Sequence, residues 1–103
     1  MSRLIDVVAK SMELALVDRI SLSKNKGTGN YSIYAQGEYE YYIGELEERY
    51  GFCYFNYYNY ISTEKMHKCT IIALIKRFLL DNFKLTKLDE DIGNHIYYLI
   101  TEK

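Results

Sequence analysis

The apolar residues of this chain change their period twice, and a chain that does so must pack helices against a sheet. Over 31–43 the period is two. Tyr31, Ile33 and Ala35 alternate with Ser32, Tyr34 and Gln36; after Gly37, Tyr39, Tyr41 and Ile43 alternate with Glu38 and Glu40. Alternation of aromatic and β-branched residues marks half-buried strands. Residues 52–61, aromatic at both parities, predict a third strand. Residues 44–50 carry Glu45, Glu47, Glu48 and Arg49 and read as a charged connection with room for one helical turn.

Helical spacing flanks this block. Leu4, Ile5, Val8, Met12, Ala15 and Leu16 recur on one stripe, with Asp6, Lys10 and Glu13 off it and Ser2 placed to cap. The period fades over 17–22, which reads equally as a short strand. Residues 23–30, with Gly27, Gly29 and two lysines, form the clearest loop. Ser62, with Glu64 in the first turn, opens a second helix whose Met66, Cys69, Ile71, Ile72, Ile75, Phe78, Leu79 and Phe83 make a wide apolar stripe. Thr86 and Asp89 resemble a capping box, and Leu88, Ile92, Ile96 and Leu99 follow at helical spacing. Residues 95–101 read equally as a terminal strand, with Gly93 and Asn94 as the turn before it. The expected fold is a single α+β domain over 1–103. It has a small three-stranded antiparallel sheet, an N-terminal helix and one or two C-terminal helices. The helices cover one sheet face and leave the other to solvent.

Composition excludes several classes. At 49% hydrophobic and 26% charged the chain is not disordered. A net charge of −1 counts against a simple nucleic-acid binder. No run of about 20 apolar residues is present, so no membrane span is expected. Residues 1–10 have Asp6 inside the apolar run and no small-residue cleavage site, so no secretory signal is expected. Cys53 and Cys69 make no disulfide framework, and both read as reduced, packed thiols of a cytoplasmic protein. The absence of proline and tryptophan beside 12 tyrosines matches an AT-rich genome, such as that of a low-GC bacterium or its phage.

No catalytic set emerges. Cys53, His67, Cys69 and His95 sum to a zinc-like set, but their spacing suits no compact zinc module, and no metal or cofactor is expected. Cys69 and His95 are the one thiol–imidazole pairing, and a thiol on an apolar helix stripe is inert. No phosphate loop, dinucleotide fingerprint or nucleophile elbow occurs. Carboxylates cluster at Glu38 and Glu40, at Glu45, Glu47 and Glu48, and at Asp89, Glu90 and Asp91. Such runs are ordinarily solvated faces. Interleaved with tyrosine, they also make a surface that docks on a basic groove by charge complementarity.

Arg49 and residues 50–57 loosely resemble the RNA-recognition octamer Lys/Arg-Gly-Phe/Tyr-Gly/Ala-Phe-Val-x-Phe/Tyr, with Tyr50 inserted, Cys53 in the small position and Phe55 in the aliphatic one. That resemblance implies Phe52 and Tyr54 stacking on bases. The order helix, three strands, helix is similar to that of double-stranded-RNA-binding domains, which implies phosphate contacts from Lys65, His67 and Lys68.

The function expected is therefore a small non-enzymatic inhibitor or regulator that binds another protein, a nucleic-acid-binding host protein among the candidates. Small phage inhibitors of host defence nucleases, such as those of the anti-CRISPR type, often work in this manner, and the parallel is one of general analogy, with no motif that identifies such a family. The expected contact residues are Tyr39, Glu40, Tyr42, Glu45, Glu47 and Glu48. The alternative is an RNA- or single-stranded-DNA-binding protein using Phe52, Tyr54, Tyr57, Lys65 and Lys68. A homodimer is also open, since tyrosine is enriched at interfaces.

Overall fold

A computed structural model describes residues 3–58, 65–88 and 94–103, with backbone alone for 65–67. The chain runs α1 (Leu4–Ala15), β1 (Ile20–Lys24), β2 (Tyr31–Ala35), β3 (Tyr41–Arg49), β4 (Phe52–Tyr58), α2 (Lys65–Asn82), β5 (Lys84–Lys87) and β6 (His95–Thr101). The strands form one antiparallel sheet of six, in the order β1-β2-β3-β4-β6-β5.

This corrects the expected three-stranded sheet. The architecture remains α+β, but three further strands join. β1 takes the ambiguous segment after α1. β6 pairs with the free edge of β4, so the terminal segment is strand and not helix. β5 then closes the far edge against β6, and Thr86 lies within it, not at a helix cap. Asp89, Ser62 and Glu64 lie outside the described residues, as do Gly93 and residues 59–61. The order helix, four strands, helix, two strands differs from that of double-stranded-RNA-binding domains.

The charged segment 44–49 is also strand. Leu46 is fully buried opposite Phe55 and Tyr31, while Glu45 and Glu47 project to the other face, which neither helix of the described residues covers. A strand with one uncovered face needs an apolar residue only at every second position. The β3–β4 hairpin turns on Tyr50 and Gly51, with φ of 54° and 81°. Two left-handed residues between register partners Arg49 and Phe52 are the signature of a tight hairpin turn matched to sheet twist. Gly51 adopts that conformation without a Cβ penalty.

Both helices pack on one face. Ile5, Val8, Ala9 and Met12 of α1 and Ile71, Ile75 and Leu79 of α2 share a single core with Ile33, Ala35, Ile43, Leu46, Cys53, Phe55 and Ile100. Arg3 and Glu48 form an ion pair that ties the start of α1 to the end of β3. Asp6 accepts hydrogen bonds from the Tyr31 hydroxyl at 2.5 Å and Lys24 Nζ at 3.1 Å, which fastens α1 to β1 and β2. The Tyr31 bond, then Lys24, hold the Asp6 carboxyl below its usual range, while burial and Asp6 push the Tyr31 phenol up to about 12. Among the described residues no helix is long and apolar enough to cross a membrane.

Candidate functional site: the helix-free sheet face

Strand alternation decides which residues lie opposite the helices. Register pairs Ser32 with Glu45, Tyr34 with Tyr42, Glu45 with Asn56, Glu47 with Tyr54, Arg49 with Phe52, Asn56 with Tyr97 and Tyr58 with His95. All project to the uncovered side. An irregularity between Ile33 and Tyr34 shifts the β2–β3 register by one. That extra β3 residue keeps Tyr42 and Glu45 on one face although they are three apart in sequence.

The expected contact residues divide. Tyr42, Glu45 and Glu47 share this face. Glu48 points to the helix side, where Arg3 holds it. Tyr39 and Glu40 lie in the turn before β3, and the Glu40 carboxylate accepts a hydrogen bond from the Ser21 hydroxyl at 2.9 Å. Of the residues named for nucleic acid, Phe52 and Tyr54 share the face with Tyr42. Tyr57 is on the helix side, and Lys68 donates to the Tyr58 carbonyl. The Lys65 and His67 side chains lie outside the described residues. Tyr34, Arg49, Asn56, His95 and Tyr97 join the face and were not singled out from sequence.

Two halves of the face differ. On one, the Arg49 guanidinium lies over the Tyr54 ring at 5.2 Å and the Tyr97 ring at 5.1 Å, with Nε 3.6 Å from a Glu47 oxygen. A cation held by two aromatic faces and a carboxylate is well matched. On the other half, Tyr34 and Tyr42 meet edge to face at 5.9 Å beside Glu45. Among the described residues no cation lies over either ring. Burial, and then a hydrogen bond that the protonated Glu45 carboxyl donates to Glu47, push Glu45 above its ordinary value; a hydrogen bond accepted from Tyr42 and the charge of His95 pull the other way. Burial and Glu45 together push the Tyr42 phenol well up. Between the halves sits Asn56, 1% exposed, with no partner for its Nδ2 among the described residues. An unpaired buried amide costs about 1–3 kcal/mol.

The Glu45 shift has a sign that stability measurements reveal. A carboxyl that ionises less readily in the native than in the unfolded chain costs stability as pH rises from the ordinary glutamate range through the raised value. Glu45→Gln removes that cost. The variant is expected to melt above the parent at neutral pH, with the gap closing as pH falls below the ordinary glutamate range. Thermal unfolding across pH checks this, and an equal or lower melting temperature at neutral pH would contradict it.

The zinc-like set does not assemble. Cys53 points to the helix side and His95 to the uncovered side. Among the described residues no group of three or more His, Cys, Asp or Glu side chains could hold a metal. Cys69 is exposed on α2, which corrects its expected place in the apolar stripe: Ile71, Ile72, Ile75 and Leu79 set the buried arc, and Cys69 falls outside it. Burial pushes the Cys53 thiol up to about 12. Iodoacetamide at neutral pH is therefore expected to label Cys69 alone in the native protein, and Cys53 only after unfolding. Mass mapping of the adducts reads this directly.

No protein-family model, curated protein or solved structure matches this chain.

Proposed function

We propose that the chain is a non-enzymatic protein that docks its helix-free sheet face on a basic segment of a partner protein. The observation that carries this reading is the unequal filling of the face. Arg49 already occupies one aromatic–carboxylate seat, while Tyr34, Tyr42 and Glu45 form a second with no cation over it among the described residues. An arginine or lysine side chain brought by a partner would lie over the tyrosine rings. It would also neutralise a carboxylate that burial and Glu47 hold unfavourably. An energetically costly cluster on an otherwise well-packed sheet is the mark of a surface kept for binding. Inhibition or regulation of a nucleic-acid-binding protein, by occupying its basic groove, is the role this chemistry serves best. By analogy, small phage and mobile-element inhibitors of host defence nucleases, of the anti-CRISPR type, often act in this way.

Nucleic acid is the second reading, because Phe52 is 52% exposed and shares the face with Tyr54. The same face carries Glu45 and Glu47, which repel phosphate, and Arg49 is already engaged.

Fluorescence anisotropy with labelled hexa-arginine peptide and with labelled single-stranded DNA and RNA separates the two. The peptide is expected to bind, and Glu45→Gln with Glu47→Gln to weaken it by roughly tenfold or more. Peptide binding that ignores the double variant would remove this face from the interaction. Oligonucleotide binding that falls steeply with salt would replace the protein reading with the nucleic-acid one.

A further inference from the structure

The two edges of the sheet are built differently. β5, at one edge, exposes Lys84 and Lys87. Lysines on an edge strand oppose pairing with another chain. β1, at the other edge, reads Ile-Ser-Leu-Ser-Lys, and its one lysine is engaged by Asp6 and the Tyr31 ring. Beside it runs a groove of about 630 Å³ whose lining includes Glu13, Leu14, Val17, Leu22 and Gln36. Leu14 is 73% exposed and Val17 68%, so an apolar ridge flanks the unguarded edge.

The backbone of β1 has a readable polarity. The Arg19 carbonyl accepts from Gln36 N–H, and Asn25 N–H donates to the Asn30 carbonyl, both across to the β2 side. In an antiparallel ladder successive residues alternate, so Ser21 and Ser23 also turn their groups to β2, and Ile20, Leu22 and Lys24 turn theirs outward. Of these, Ile20 N–H goes to the Leu16 carbonyl. The N–H and C=O groups of Leu22 and Lys24, with the Ile20 carbonyl, face outward from the sheet edge.

We propose that β1 is the seam of a homodimer, in which two copies pair their β1 strands antiparallel about a two-fold axis through Leu22. This register sets Leu22 against Leu22 of the second copy, Ile20 against its Lys24, and the turn at Asp18 against its turn at Lys26. Asp18 and Lys26 are both exposed, and neither has an ion-pair or hydrogen-bond partner among the described side chains. The two-fold therefore creates two identical complementary charge pairs, one at each end of the seam. A two-fold interface must be complementary to itself, and this edge is. Leu14 and Val17 of both copies flank the seam on the helix side. The two sheets become one of twelve strands, with the helix-free faces continuous across it.

Sedimentation velocity over a concentration series tests this. The parent is expected to move from 12.2 kDa monomer to a species of twice that mass as concentration rises. Leu14→Glu and, separately, Asp18→Lys are expected to raise the dimer dissociation constant by roughly tenfold or more. Combining Asp18→Lys with Lys26→Asp restores the paired signs and is expected to recover most of the lost affinity. All these positions are exposed, and circular dichroism checks that each variant keeps the fold. A parent that stays monomeric to millimolar concentration would overturn the proposal. So would a dimer indifferent to Leu14→Glu, or a charge swap that fails to rescue.

Discussion

Phe55→Ala should cost the fold about 3–5 kcal/mol, whereas Phe52→Ala, three residues earlier on the same strand, should cost well under 1 kcal/mol. Phe55 is fully buried on a central strand, stacks on Tyr98 at 6.2 Å and lies 5.9 Å from Tyr57. Its removal leaves a cavity under both helices that the sheet cannot close. Phe52 stands on the uncovered face, half exposed, at the end of the strand. A domain of this size holds only about 5–15 kcal/mol in total, so the first variant loses a large share of its stability. Urea unfolding of the two variants reads the difference. Similar losses would mean that the two faces of β4 are not assigned as described.

Gly44→Ala is expected to be nearly as damaging, by about 2–3 kcal/mol or more, for the opposite reason. A Cβ at Gly44 would sit 2.3 Å from the Asn56 carbonyl oxygen and 3.2 Å from the Tyr57 Cα. The obstacle is backbone of the neighbouring strand, so no rotamer change relieves it. β3 is enclosed by β2 and β4 and cannot shift outward. The effect also bears on the binding face, because Asn56 and Glu45 are register partners one residue away. A melting temperature lowered by roughly 10 °C or more is expected. An unchanged one would contradict the β3–β4 register.

How much of this could be read from sequence follows from which forces are local. Helix α1 and strand β2 were plain, since each carries a full apolar period of its own. The 44–49 segment was not, because Leu46 is the one large apolar residue among its charges and the pairing that makes it strand comes from Tyr31 and Phe55. β5 is four residues with a single half-buried apolar side chain, Leu85, and exists because β6 offers it an edge. The site shows the same division. Tyr42, Glu45 and Glu47 could be named from their local cluster. Tyr34 was within reach, since alternation with Ile33 and Ala35 sends it outward. Tyr97 and His95 were not, because they reach Asn56 and Tyr58 through pairing between strands about 40 positions apart, a non-local term. Glu48 was grouped with its neighbours by charge, and strand parity alone sends it to Arg3 on the other side.

If the uncovered face, and not the helices, meets a basic partner, the tyrosines supply probes for both sides. Tyr34, Tyr42, Tyr54 and Tyr97 project from the uncovered face; Tyr31, Tyr41, Tyr57 and Tyr98 project to the helix side. Side-chain-selective NMR of the tyrosine rings during titration with hexa-arginine peptide distinguishes the two sets. Tyr34 and Tyr42 are expected to shift most, while the helix-side rings hold still. Shifts confined to the helix-side rings, or none at saturating peptide, would contradict it.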